Sequence, residues 1–194
     1  MTGVRRFAQW GLWFGGALVL FAAVLIGIDV LMRKFLARSI GGADELAGYS
    51  LAIGAAWGLG ATLLDRAHIR IDSLYVLFPQ KLRLALDAVA ILLLVGFFAL
   101  TTWHGFGVLA QSWTSGSRSQ SALETPTVIP QVLWIAGLVA FVVIGVLLLL
   151  QALGKALSGD LRGTANLIST RSAEEEVEDE IRDLKDRQVR EGKN

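Results

Sequence analysis

The stretch IPQVLWIAGLVAFVVIGVLLLL, residues Ile129 to Leu150, decides the fold. It lies within 30 consecutive residues, between Glu124 and Lys155, that include no Asp, Glu, Lys or Arg. About 20 apolar residues of helix, rising ~1.5 Å each, cross the hydrocarbon core of a bilayer. Three other runs share the property: 22 uncharged residues between Arg6 and Asp29, 19 between Glu45 and Asp65, and 30 between Asp87 and Arg118. The pattern predicts an all-α integral membrane protein. Four transmembrane helices are expected at about 10–31, 45–64, 84–110 and 129–150, in a membrane domain of residues 1–157. The third would extend ~40 Å as one helix, beyond the ~30 Å core. It must tilt, or leave the hydrocarbon around Gly105–Gln111.

Composition agrees with this reading. Of 194 residues, 54% are hydrophobic and only 18% charged, which excludes a soluble globular fold. The first run follows Arg5-Arg6, as a signal peptide core would, but it exceeds the ~7–15 residues of such a core. More membrane sequence follows it, so we retain it as a span. There is no cysteine, and hence no disulfide, thiolate metal site or cysteine nucleophile. His68 and His104 stand far apart in the chain and form no metal-ligand cluster. A net charge of +1 gives nucleic acid no electrostatic footing. No cofactor is expected.

Orientation follows from the basic residues of the loops. One side would hold nine: Arg5, Arg6, Arg66, Arg70, Lys81, Arg83, Lys155, Arg162 and Arg171. The other would hold four, Arg33, Lys34, Arg38 and Arg118, so both termini are expected in the cytoplasm. Trp10, Trp13, Trp103 and Trp113 fall near span ends, where amphipathic rings favour the headgroup region.

The connections differ in kind. Residues 32–44 are short and basic, with Gly41-Gly42. Residues 65–83 mix charges with Ile69, Ile71, Leu74, Tyr75, Leu77 and Phe78, as suits a segment in the interface. Residues 112–128 are rich in Ser, Thr and Gly. From Ser158 the chain becomes a polar, charged tail, 158–194, assigned to the cytoplasm and carrying nine of the 17 acidic residues after position 173. Val177, Ile181 and Leu184 mark an amphipathic helix over 174–190, either solvated or a docking helix for a partner.

Nine residues are candidates for structural or partner contacts. Asp29 and Arg33 are four apart, hence on one helix face and close enough to pair near hydrocarbon. They suit an interfacial ion pair or a contact with another membrane subunit. Asp44 and Glu45 open the second span, where Asp44 is a good N-cap and both complement the helix dipole. Gly54 and Gly58, with Ser50, recur every four residues and permit close helix approach, as Gly11 and Gly15 do on the first span. Whether that packing lies within the chain or between chains is open at this point. His68, Arg70 and Asp72 belong to a dense polar run, Asp65 to Asp72, which reads as a structured turn because no nucleophile or metal set accompanies it. No catalytic, substrate-binding or metal residues are assigned, and the chain is not expected to be an enzyme.

In this order the motifs resemble a known family. Asp29-Val30-Leu31-Met32-Arg33-Lys34-Phe35, Asp44-Glu45-Leu46-Ala47-Gly48-Tyr49, Gly60 followed by Arg66-Ala67-His68-Ile69-Arg70-Ile71-Asp72, and Ser121-Ala122-Leu123-Glu124-Thr125-Pro126 with Ile129-Pro130-Gln131 are similar to the DctQ-like small membrane subunits of tripartite ATP-independent periplasmic (TRAP) transporters. The resemblance covers roughly residues 10–150, and the tail is longer and more charged than the family leads one to expect. It implies a four-helix protein of the bacterial inner membrane that scaffolds a large permease subunit. A periplasmic binding protein would deliver an organic acid, and a sodium gradient would drive its uptake. The residues fit that division of labour, since a transporter core needs interrupted helices and a midplane polar site. A membrane anchor docking another complex through the charged tail is the alternative.

Overall fold

The computed structural model describes residues 2–66 and 78–168, together with Ile181 and Leu184. It is helical, as expected. The helices are α1 (Thr2–Leu36), α2 (Ala43–Leu64), α3 (Gln80–Ser115), α4 (Val128–Leu157) and α5 (Leu161–Ile168). The first four are long and apolar enough to cross a membrane. The described residues contain no strand, only an isolated bridge between Arg118 and Pro126. His68, Arg70, Asp72 and nearly all of the expected helix 174–190 lie outside the described residues.

The helices run beyond the apolar stretches that announce them. At 35 and 36 residues, α1 and α3 would measure about 52 and 54 Å at ~1.5 Å per residue. They stop where the backbone turns left-handed. Ala37 has φ 51° after α1, and Gly116 has φ 61° after α3. The amides of Gly116 and Ser117 return to the carbonyls of Trp113 and Ser112, which satisfies the last turn of α3. Pro130 sits in the first turn of α4, where its missing N–H leaves no bond unmade.

Contacts order the helices in a row. α1 packs on α2, α2 on α4, and α4 on α3. The two inner helices bury 44% and 39% of their apolar windows and the two edge helices 17% each, so the row presents two broad apolar faces. Small residues set the spacing. A Cβ on Gly54 would lie 2.8 Å from the Gly15 carbonyl oxygen, and one on Gly11 2.8 Å from that of Trp57. At that separation real side chains do not fit, so α1 and α2 touch backbone to backbone. Gly58 is different: its nearest neighbour would be Leu12 Cδ1 at 3.9 Å. The small-residue spacing is thus used within the chain at Gly54, and hardly at Gly58.

Trp57 joins three helices. Its indole N–H donates to the Leu133 carbonyl on α4 at 3.0 Å. The same ring meets Phe7 and Phe14 of α1, with centroids 6.2 and 5.5 Å away. Gly137 lies flat beneath it, where a Cβ would fall 2.8 Å from the indole. Phe141, fully buried, centres the apolar core with Ile91, Val95, Ile144 and Leu148.

Past Ser158 the chain forms one more short helix before the end of the described residues. Gly159 turns the chain at φ 79°, and Asp160 then caps α5. The Asp160 carboxylate accepts the Gly163 amide at 2.8 Å and its carbonyl accepts the Thr164 hydroxyl at 2.9 Å. Thr164 and Ile168 are buried against the bundle, so α5 folds back on α4 and α3.

Candidate functional site

Four of the candidate residues meet at one end of the row, where the α1–α2 turn faces the α3–α4 loop. Asp29 is fully buried. It accepts hydrogen bonds from Arg33 Nε at 2.6 Å, from the Ser39 hydroxyl at 2.9 Å and from the Ile40 amide at 2.6 Å. A carboxylate away from water demands such donors. The consequence is mechanical, since one side chain fastens the turn 37–42 back onto the helix that precedes it. Arg33 also closes on Asp29 as an ion pair and reaches Asp44 at 3.7 Å. The expected pair therefore extends to a third charge across the turn.

The expectation for the start of α2 needs correction. Asp44 does not cap the helix. Gly42 occupies the N-cap position with φ 86° and no side-chain cap bond, while Asp44 points outward to Arg33. Two features require glycine at position 42. Its backbone is left-handed, a region costly for residues with a Cβ. The Leu123 side chain also fills the space that a Cβ would enter. Gly41 faces Ala122 in the same way, with a Cβ falling 3.2 Å from that methyl.

Glu45 holds the opposite loop. Its carboxylate accepts the Ser119 hydroxyl at 2.9 Å and the Ser121 hydroxyl. Each hydroxyl in turn accepts a backbone amide, Thr125 N–H on Ser119 and Leu123 N–H on Ser121, both at 3.1 Å. Serine is suited to this relay because one oxygen donates and accepts at once. Backbone bonds from Ser119 to Thr125 and from Thr127 to Ser117 complete a pinned loop, and Arg118 closes it on the Glu124 carbonyl at 3.2 Å. Gln131 ties α4 to α3 through Ser112 at 3.0 Å.

The structure thus brings Asp29, Arg33, Asp44 and Glu45 together and leaves Gly54 and Gly58 further along α2. Ser119 is a partner that the sequence does not single out beyond the density of serines between 112 and 121, while Ser121 and Leu123 stand in one of the family motifs without any role assigned to them. Nor does the sequence flag Asp87, a second fully buried carboxylate, near the start of α3 at the other end of the row. Among the described residues, no three His, Asp or Glu side chains stand close enough to hold a metal ion. The cluster joins two helical hairpins, and its chemistry is that of a clamp.

No match to the chain was found among curated proteins or among solved structures. A family model does match. It is described as "Tripartite ATP-independent periplasmic transporters, DctQ component" and covers residues 8–155, from the start of α1 almost to the end of α4. The clamp residues and the glycine contacts all fall inside that span. The chain belongs to the DctQ component family of the tripartite ATP-independent periplasmic transporters.

Proposed function

We propose that this protein is the scaffold subunit of a TRAP-type secondary transporter, non-catalytic, holding a large permease subunit in the bilayer. Solute would be an organic acid, delivered by a periplasmic binding protein and taken up with a sodium gradient. The observation that carries the reading is the placement of the polar groups. Asp29 and Glu45 bond to the chain's own loops, and Arg33 joins Asp29 to Asp44, all at one end of the row, while the long faces between the ends are apolar. A transporting subunit builds its site from broken helices near the midplane. Here α1 to α4 are continuous. Such a row stiffens a neighbour better than it conducts a solute.

The setting follows from the same reading. The protein would sit in the bacterial inner membrane with both termini in the cytoplasm, so the clamp would face the periplasm. Mild detergent extraction tests the assignment: a large multi-span partner should co-purify with the tagged chain. Repeated isolation of the chain alone, from cells taking up the solute, would refute it. Reporter fusions at both ends test the orientation, and opposite signals at the two termini would overturn it.

A further inference from the structure

The N-terminal end of α1 carries a feature that neither the clamp nor the helix packing uses. Trp10 and Trp13 are 78% and 80% exposed, more than almost any other large apolar side chain described. With Arg6 and Gln9 they line a shallow recess of about 340 Å³ on the outer side of this edge helix. The four positions are 6, 9, 10 and 13, so they share one helix face. Its neighbour Arg5 reaches Asp65 at 3.8 Å, whereas Arg6 pairs with no carboxylate among the described residues. Toward the middle of α1 the same face continues as Gly16, which has no atom within 4 Å of its Cβ position, and then Leu20, 66% exposed.

We propose that this face is a binding site for an anionic glycerophospholipid. The depth order of the side chains matches that of the lipid. Arg6 lies about 10 Å further out than Trp13 along the helix, by the ~1.5 Å rise per residue. Its guanidinium offers paired N–H donors to a phosphate, and the Gln9 amide adds another. The two indoles occupy the level of the glycerol and ester groups, where amphipathic rings with an N–H donor are at home. Beneath Trp13 the missing side chain of Gly16 leaves a trough for the start of an acyl chain, which then runs over Leu20. The charge selects an acidic headgroup over a zwitterionic one, because a basic residue near the surface gains from anionic lipid. The proposal does not depend on the transporter reading. It requires only that α1 stand in a bilayer.

Brominated lipids, which quench tryptophan on contact, test it with the purified full-length chain in phosphatidylcholine vesicles. Equal small fractions of dibrominated phosphatidylglycerol or dibrominated phosphatidylcholine are introduced in parallel. The wild type should be quenched more by the phosphatidylglycerol. R6Q should lower that preference about five-fold, the equivalent of about 1 kcal/mol for one basic residue, and R6K should retain most of it. W10F/W13F should remove the excess quenching, which assigns it to this pair among the six tryptophans. Equal quenching by the two lipids in the wild type overturns the proposal. So does a phosphatidylglycerol preference that survives unchanged in R6Q or in W10F/W13F.

Discussion

Leu123 lies over the α-carbon of Gly42, in the volume that any side chain at position 42 would need. These residues are far apart in sequence and belong to different helical hairpins, and their contact closes the end of the row where Asp29 and Glu45 fasten the two loops. Substituting Gly42 by Ala places a Cβ both in a left-handed backbone, at a cost of ~1–2 kcal/mol, and against Leu123. Thermal unfolding in detergent should show a loss of at least that size. Adding Leu123→Ala should restore the steric part and leave the backbone part. A double variant no more stable than the single one would show that the two sites do not touch.

Gly54 and Gly58 should respond in opposite ways to alanine. At Gly54 a methyl meets the Gly15 carbonyl oxygen, and forcing it in should cost ~1–3 kcal/mol as α1 and α2 part. Leucine there should be worse and should also lower the yield of any complex. At Gly58 there is room, so Ala should be neutral or stabilising by up to ~1 kcal/mol through helix propensity. Equal losses at both positions would refute the packing face.

Removing the guanidinium of Arg33 leaves a fully buried carboxylate with only the Ser39 and Ile40 donors. Arg33→Ala should therefore lower the melting temperature measurably. Asp29→Asn combined with Arg33→Ala should melt higher than Arg33→Ala alone, because the uncompensated charge is gone. If the double variant melts no higher, the two residues are not coupled.

Ser119→Ala and Ser121→Ala each delete a donor to Glu45 and an acceptor for a backbone amide. Hydrogen exchange in segment 117–127 should accelerate in either variant and most in the double one, while α3 and α4 keep their protection. Exchange unchanged in the double variant would mean that the relay does not hold the loop.

How much of this was legible in the sequence depends on the range of the interaction. The four spans follow from uncharged runs, which are local. The i,i+4 spacing of Asp29 and Arg33 is local too, and the pair forms. The helices outrun the expected spans because apolarity marks the lipid and not the helix: Arg5, Lys34 and Gln111 are helical although they lie outside those spans. The capping role expected of Asp44 failed for a similar reason. A carboxylate near a helix start looks like a cap, yet the left-handed Gly42 already makes the turn, and Arg33 draws Asp44 outward. The bonds from Glu45 to Ser119 and Ser121 span more than 70 positions, and no periodicity in one chain points across such a gap. α5 is not legible because eight residues, with Thr164 and Ile168 buried among the side chains described, carry too little pattern to stand out from a polar tail.

The bond made by Trp57 crosses from one half of the chain to the other. The acceptor for its N–H is supplied by the fourth helix. The Leu133 carbonyl meets that donor partway along the helices, while Glu45 and the serines join the same two hairpins at one end, so the halves of the chain are pinned at two heights and cannot slide past one another.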